Sequence, residues 1–527
     1  MTAPRDLIVE PAGPDAAAAT TGASVLAGGI WKTASTLVPQ LYVLAQSIAA
    51  ARFLGPRGMG LQSFIAFAEI AIVTAASSGF SIALMRYIGE TLGRRRPEAV
   101  RGLVRWSWIV LGFGAFAGGA ILIAAGLSGA DPRSAWLLAG VAGTLGILHT
   151  VPSAVLIGAQ RWREASVVGL VTGSAATAAI IVVLALGGGI TGMFAVEAGV
   201  AALNLIWTSA YARRALGRDA GVTQLSRALR RDVLRYALVA TGTSVLTFIV
   251  WRRSELFFLK RYSTDREIAF YSVAFASVTA LTAVSQGLAT VISPAIATLF
   301  GAGADARIRT AYARGTRLLL FFALPLTAVG LALGPAAIRL VYGEAYRASG
   351  SVVLILLAPL PLIPIVHLGR AFMTGLGRLK ASFLMSALAA AVNIALDLAL
   401  IPGHAAIGAA IANSSAQVLA GLPVLAYMAR RVGGVDWRAG PITRGTLASG
   451  GGGLAAWGVV QAVGGAGGLV AGLLSGAVVF AALGRFLRVL PDEDALWLDA
   501  AVGERAGGRV GRAVRLFAGL PARGGAS

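Results

Sequence analysis

The side chains able to do chemistry in this 527-residue chain are the few polar and charged ones set inside long apolar runs. In the run over 25–51, Lys32, Ser35, Thr36 and Gln46 share one helical face at about 100° per residue. In the run over 234–259, Ser244, Thr247, Trp251 and Glu255 do the same, with Arg252 at the stripe's edge. Such groups inside hydrocarbon are expected to face a bundle interior or a wet cavity. Hydroxyls, an amide and cations on facing helices would offer hydrogen bonds and counter-charge to a polar, anionic ligand. A blander reading stands beside each. Arg252 and Glu255, spaced i, i+3, also fit a structural pair, and Lys32 also fits an ammonium snorkelling to the interface.

Further candidates are scattered. Glu69 and Glu197 are carboxyl groups inside spans, suited to carrying a proton or to bonding a neighbouring helix. His149 and His367 occupy nearly equivalent places in the two halves of the chain and suit either ion coupling or packing. Arg370, shortly before Gly375, is expected to line a cleft in the second half. Asp397, in NIALDLALIP near the end of its span, is read as structural. Asn413-Ser-Ser has the form of a glycosylation acceptor but falls within a span. The sequence carries neither a phosphate-binding Gly-Lys loop nor a zinc-ligand cluster nor a nucleophile motif, so no catalytic residue, cofactor or metal is expected.

The elements that hold these groups follow from composition. Hydrophobic residues make up 57% of the chain and charged ones 13%, about half what a soluble protein carries. Mean hydropathy is +0.77. Apolar runs fall near 25–51, 59–85, 104–128, 134–158, 165–187, 190–212, 234–259, 268–298, 315–341, 350–374, 381–401, 405–428, 443–463 and 467–489. Each is long enough to cross a ~30 Å hydrocarbon core, which takes about 20 helical residues. Without strict alternation they predict helices rather than barrel strands. The net charge of +22 raises a nucleic-acid reading, but the arginines cluster in alternate loops, as a topology signal does. The clusters follow even-numbered runs, and KRYSTDRE after the seventh is the exception. Both termini are therefore expected in the cytoplasm of a multi-pass cell-membrane protein. The chain contains no cysteine, which removes disulfides and thiolate metal sites.

An internal duplication organises the spans. Ser35, Gln46, Arg52 and Ser63 recur 209 residues later as Ser244, Glu255, Arg261 and Ser272. LIGAQRWREAS over 156–166 matches MTGLGRLKAS over 373–382, and Tyr211 with its following Arg-Arg matches Tyr427. The expected fold is all-α and polytopic, with about fourteen transmembrane helices: two parallel six-helix repeats form two lobes around a central cleft, plus two extra C-terminal helices. The boundaries expected are a disordered tail over 1–22, a first lobe over 23–215, a basic linker over 216–233, a second lobe over 234–431, two further spans within 432–490, and a C-terminal tail over 491–527. That tail reads either as an amphipathic helix on the membrane surface or as a loosely ordered end. Repeats of this kind place substrate sites at their mutual interface.

A family resemblance rests on an ordered set of phrases: ARFLGPRGMG, RSELFFLKRY followed by IAFYSVAFAS, LVYGEAYRASGSVVLILLAPLPLIP, GLGRLKAS, and VNIALDLALIP with AAIGAAIA. Over about residues 25–431 the chain resembles the polysaccharide flippases, the Wzx-like branch of the multidrug/oligosaccharidyl-lipid/polysaccharide (MOP) exporter superfamily. The resemblance implies alternating access of two lobes and a polyprenyl-diphosphate-linked oligosaccharide as cargo. Lys32, Arg252 and Arg370 would meet the diphosphate. Glu255 stands where relatives often carry an acidic residue, usually Asp. It further implies a monomer in membrane lipid beside polysaccharide polymerase and glycosyltransferase machinery, without nucleic acid. The physics of the cargo agrees, since a diphosphate headgroup enters hydrocarbon only at a cost of many kcal/mol per charge unless a wet cleft replaces its hydration. Two rival functions stand beside it: a drug/cation antiporter of the MATE type sharing the fold, and a membrane-embedded glycan polymerase, ligase or scaffold. The short outer loops and the buried polar stripes weigh against the second.

Overall fold

The computed structural model describes residues 22–93, 97–216, 225–251, 254–432, 439–499 and 509–518. Among them every regular element is a helix. Lipid offers the backbone no hydrogen bonds, so apolar runs close their own as helices. The first half holds α1 (Gly22–Gly93), α2 (Pro97–Leu127), α3 (Arg133–Gly158), α4 (Trp162–Ala185) and α5 (Gly189–Leu216). The second holds α6 (Arg227–Trp251), α7 (Glu255–Tyr262), α8 (Asp265–Gly301), α9 (Asp305–Tyr342), α10 (Ser349–Leu357), α11 (Ile363–Gly375) and α12 (Leu379–Val432). Two further long helices follow, α13 (Ala439–Val463) and α14 (Gly465–Phe486), then the short α15 (Asp492–Leu498) and α16 (Arg509–Ala518). Residues 1–21 of the expected N-terminal tail and residues 217–224 of the basic linker lie outside the described residues, while the rest of the linker runs into α6.

Breaks in the helices decide where side chains converge. α1 contains the first two expected spans and is interrupted at Gly55, whose φ of 67° suits glycine and is followed by Pro56, a residue with no N–H to leave orphaned. α12 is likewise two spans, interrupted at Ala405 with φ 47° and ψ −126°, a region an L-residue enters only under strain. There the Ala406 N–H donates to Glu267 Oε2 at 3.2 Å, so a carboxylate receives the restarted helix. Two expected runs are each split. The run over 234–259 becomes α6 and α7, and that over 350–374 becomes α10 and α11 with Pro359 and Pro361 between them.

Nine helices among the described residues are long and apolar enough to cross a membrane. Two of these, over Val38–Leu92 and Lys380–Val432, are long enough for two crossings each. The expected runs over 268–298, 350–374 and 443–463 form α8, the α10–α11 pair and α13. The protein is thus an all-α polytopic membrane protein with about fourteen crossings, as its apolar runs predict.

Two bundles meet along α1, which packs on both α6 and α8. The seam is made of small residues, because van der Waals contact rather than the hydrophobic effect holds helices together in lipid. Ala49, Ala50 and Ala51 are buried there. At Gly60 a Cβ would fall 1.7 Å from the Asp265 carbonyl oxygen. The same end is tied by polar groups. The Arg52 Nε donates to the Val341 carbonyl at 2.8 Å and its Nη2 donates to that of Leu340, while the Tyr346 hydroxyl donates to the Ala51 carbonyl at 3.1 Å. The C-terminal segment is docked through its described residues. Asp494 is fully buried and accepts from Arg317 at 2.7 and 2.9 Å and from Arg314 at 3.2 Å. Phe517 of α16 packs edge-on against Phe321 with ring centroids 5.3 Å apart.

Candidate functional site

The densest buried polar cluster lies in the second half, where three broken elements meet. Glu255 opens α7 just past the α6 break and is completely buried. Its Oε1 accepts from Asn413 Nδ2 at 2.8 Å and from Asn393 Nδ2 at 3.3 Å. Those two asparagines come from opposite sides of the Ala405 break in α12. Gln417, one turn after Asn413, donates to the Asn413 Oδ1 at 2.5 Å. The Ser254 hydroxyl donates to the Ile249 carbonyl at 2.7 Å and sits 3.3 Å from Asn393 Oδ1. Asp397, one turn after Asn393, is fully buried and is an electrostatic neighbour of Glu255. Both Asp397 oxygens lack a hydrogen-bond partner among the described residues, and the Tyr271 side chain is a further neighbour of Glu255. Beside the cluster a cavity of about 40 Å³ is lined by Thr279, Thr282, Asn413 and Gln417, large enough for a water molecule.

The first half shows the repeat-related arrangement with neutral groups. Gln46 Nε2 donates to Thr177 Oγ1 on α4 at 2.9 Å. Gln46 and Glu255 are a duplicated pair, and Thr177 precedes Asn393 by 216 positions, the spacing that also separates Tyr211 from Tyr427. One contact is therefore built twice, once as amide–hydroxyl and once as carboxylate–amide. Tyr42 extends the first version: its hydroxyl donates to the Leu170 carbonyl at 3.1 Å and lies 2.7 Å from Ser174 Oγ. Deeper in this half a cavity of about 200 Å³ is lined by His149, Ser153, Thr172, Asn204 and Thr208. His149 Nε2 lies 3.1 Å from Thr208 Oγ1 there.

The other expected residues are distributed around these clusters. Glu69 is buried with Oε2 lacking a hydrogen-bond partner among the described residues, its stem against Gly143. Glu197 on α5 is its electrostatic neighbour and is exposed. Arg370 is half-buried on α11 and donates from Nη1 to Ser386 Oγ at 3.1 Å; His367 lies one turn before it. The helix carrying Lys32 and Ser35 is described but their side chains lie outside the described residues, as does Arg252 altogether. The expected stripe from Ser244 to Glu255 is divided between α6 and α7, with Ser254 in a turn and Arg252 and Arg253 outside the described residues. Sequence reasoning missed Asn393 and Asn413 as partners of Glu255 and set Asp397 aside as structural. The available signal was the spacing of 393 with 397 and of 413 with 417, each an i, i+4 polar pair within an otherwise apolar span.

The same architecture occurs in solved transporters. The multidrug resistance MATE family transporter of the MOP superfamily in its inward-facing conformation is similar with a TM-score of 0.66 at 15% identity, over 77% of this chain and 98% of that one. The lipid II flippase MurJ in an inward closed conformation is similar with a TM-score of 0.67 at 14% identity, over 87% and 98%. A MOP superfamily transporter from Pyrococcus furiosus Vc1 gives 0.57 at 16% identity, over 77% and 95%. No curated protein matches the chain. These likenesses define the fold, an all-α multi-pass architecture of the kind seen in those transporters. A model of the family described as polysaccharide biosynthesis protein matches residues 25–300, and one described as MatE matches residues 226–399. The first covers more than half of the chain, which belongs to the polysaccharide biosynthesis protein family.

Proposed function

We propose that the protein is a flippase that carries a polyprenyl-diphosphate-linked oligosaccharide from the cytoplasmic to the outer leaflet of the cell membrane by alternating access of its two lobes. The observation that carries this reading is the polysaccharide-biosynthesis family match across residues 25–300. Likeness in fold to a lipid II flippase supports it, since a lipid with a large polar head poses the same physical problem. The arginine bias of alternate loops supports cytoplasmic termini. With those termini, the seam of Gly60, Arg52 and Tyr346 closes the outer side. Lys32, Ser35, Gln46, Arg252 and Arg370 remain the proposed contacts for the headgroup. The protein works as a monomer beside glycosyltransferases and a polymerase.

The Glu255–Asp397 pair supports ion coupling. Two neighbouring, fully buried carboxyl groups, one with both oxygens lacking a partner among the described residues, are too costly to leave doubly charged, so the pair calls for a proton or a small cation. Glu69, Glu197, His149 and His367 are secondary candidates for the same role. One observation favours a second reading: the MatE match over 226–399 includes Glu255, Asn393 and Asp397, so a drug/cation antiporter would use the same cluster.

The test is reconstitution of the full chain in liposomes holding a labelled polyprenyl-diphosphate oligosaccharide, with headgroup exposure read by an impermeant quencher. Headgroup translocation faster than in protein-free liposomes is the expected result. Unchanged headgroup exposure together with gradient-driven export of an organic cation would overturn the flippase in favour of the antiporter.

A further inference from the structure

A groove of about 590 Å³ opens between α8, α9 and α11, with Trp497 of α15 on one side. Ile296, Leu299, Leu318 and Phe372 make its walls apolar. Its floor is one face of α9, on which the lining residues Arg307, Ala311, Arg314 and Leu318 follow a helical repeat. The eleven steps from Arg307 to Leu318 rise about 16 Å at 1.5 Å each. That is about half of a ~30 Å hydrocarbon core, the depth of one leaflet.

The floor is charged at one end. Arg307, in the first turn of α9, is exposed and has neither an ion-pair nor a hydrogen-bond partner among the described residues. Arg314, one face-repeat deeper, is committed elsewhere: it donates to Asp494 at 3.2 Å and its guanidinium lies 5.4 Å from the Trp497 ring centroid. Asp305, the nearest carboxylate in sequence, is not a lining residue. A cation with no partner among the described residues therefore marks the mouth, and hydrocarbon-like walls run inward from it.

We propose that this groove is a binding site for one acyl chain of an anionic membrane phospholipid, with its phosphate on Arg307. Apolar walls left facing a void forfeit dispersion contacts, and an apolar cavity does not hold ordered water. A lipid chain lying in the groove restores those contacts. The one-leaflet depth selects an ordinary phospholipid chain over a much longer polyprenyl tail, and Arg307 selects an anionic headgroup over a zwitterionic one. The site is distinct from the Glu255 cluster and does not depend on which cargo the transporter carries.

Native mass spectrometry of the purified, delipidated full chain tests this, with phosphatidylglycerol and phosphatidylcholine of identical chains as probes. One phosphatidylglycerol should be retained in preference by about fivefold, the size of a single arginine contact with an anionic lipid. Arg307→Gln, at an exposed position, should bring that ratio near one. Ala311→Trp, which fills the groove from an exposed position on its floor, should remove binding of both lipids while the protein stays monodisperse. Equal retention of the two lipids by the unmodified protein would overturn the proposal. So would retention that survives Ala311→Trp, or displacement of the bound phosphatidylglycerol by an equimolar polyprenyl diphosphate.

Discussion

The Asn413 amide donates a hydrogen bond to Glu255 at 2.8 Å across 158 positions of sequence, joining the restarted half of α12 to the first residue of α7. Asn393 gives the same carboxylate oxygen a second, longer contact at 3.3 Å. The Asn413 contact ties the start of α7 to the far side of the α12 break, close to the fully buried Asp397. Its loss should be felt in stability and in transport.

Asn413→Ala should destabilise the protein by about 1–3 kcal/mol, the penalty of leaving a buried polar group short of a partner. Glu255→Gln in the same chain should recover part of this, because a neutral amide asks less of its surroundings than a carboxylate. Thermal unfolding in detergent followed by tryptophan fluorescence, run as a double-mutant cycle, reads the coupling. Additive losses would show that the 2.8 Å contact carries little energy.

Gly60→Ala should be among the most damaging single changes to the seam. Its methyl would sit 1.7 Å from the Asp265 carbonyl oxygen, and backbone cannot rotate away as a side chain can. A loss of about 3 kcal/mol, at the upper end for overpacking, is expected with poor membrane yield. Gly112→Ala, with nothing within 4 Å, is the matched control and should leave yield and Tm unchanged.

Ala405→Gly should stabilise. The present residue holds φ at 47°, where an L side chain costs about 1–2 kcal/mol. Removing the methyl relieves that strain, offset partly by the freedom glycine regains when unfolded. A net gain near 1 kcal/mol in chemical denaturation is expected. A fall in Tm would mean the local backbone is held less tightly than its angles indicate.

Asp494→Asn should loosen the C-terminal segment. Arg314 and Arg317 would lose the buried carboxylate that balances them, a change that typically costs about 3–5 kcal/mol. Limited proteolysis should then cut after α14 much faster than in the unmodified protein, while the rest of the chain stays resistant.

The spans were legible because hydrocarbon leaves an apolar run one option, and the repeat was legible because Gln46, Arg52 and Ser63 return at a constant interval. The α10–α11 break has a visible cause in Pro359 and Pro361. Between α6 and α7 the described turn residue, Ser254, is neither glycine nor proline, so the stripe through Glu255 looked continuous. The cluster itself was hidden for a different reason. Glu255 stands out as a charge in an apolar run, but its partners are asparagines more than 130 residues away, and an amide in a span gives no sign of which helix it faces. The C-terminal tail was undecided between surface helix and loose end; its anchor is Asp494, which only a folded α9 can pair.

Arg52 is translated 288 residues before Leu340 and 289 before Val341, whose carbonyls hold it. At about 5–20 residues per second, its acceptors leave the ribosome roughly 15–60 s later. During that interval α6 and α8 can already cover the alanine seam, while the Arg52 guanidinium still lacks its acceptors. A ribosome stalled before α9 would strand a chain whose outer tie is unmade.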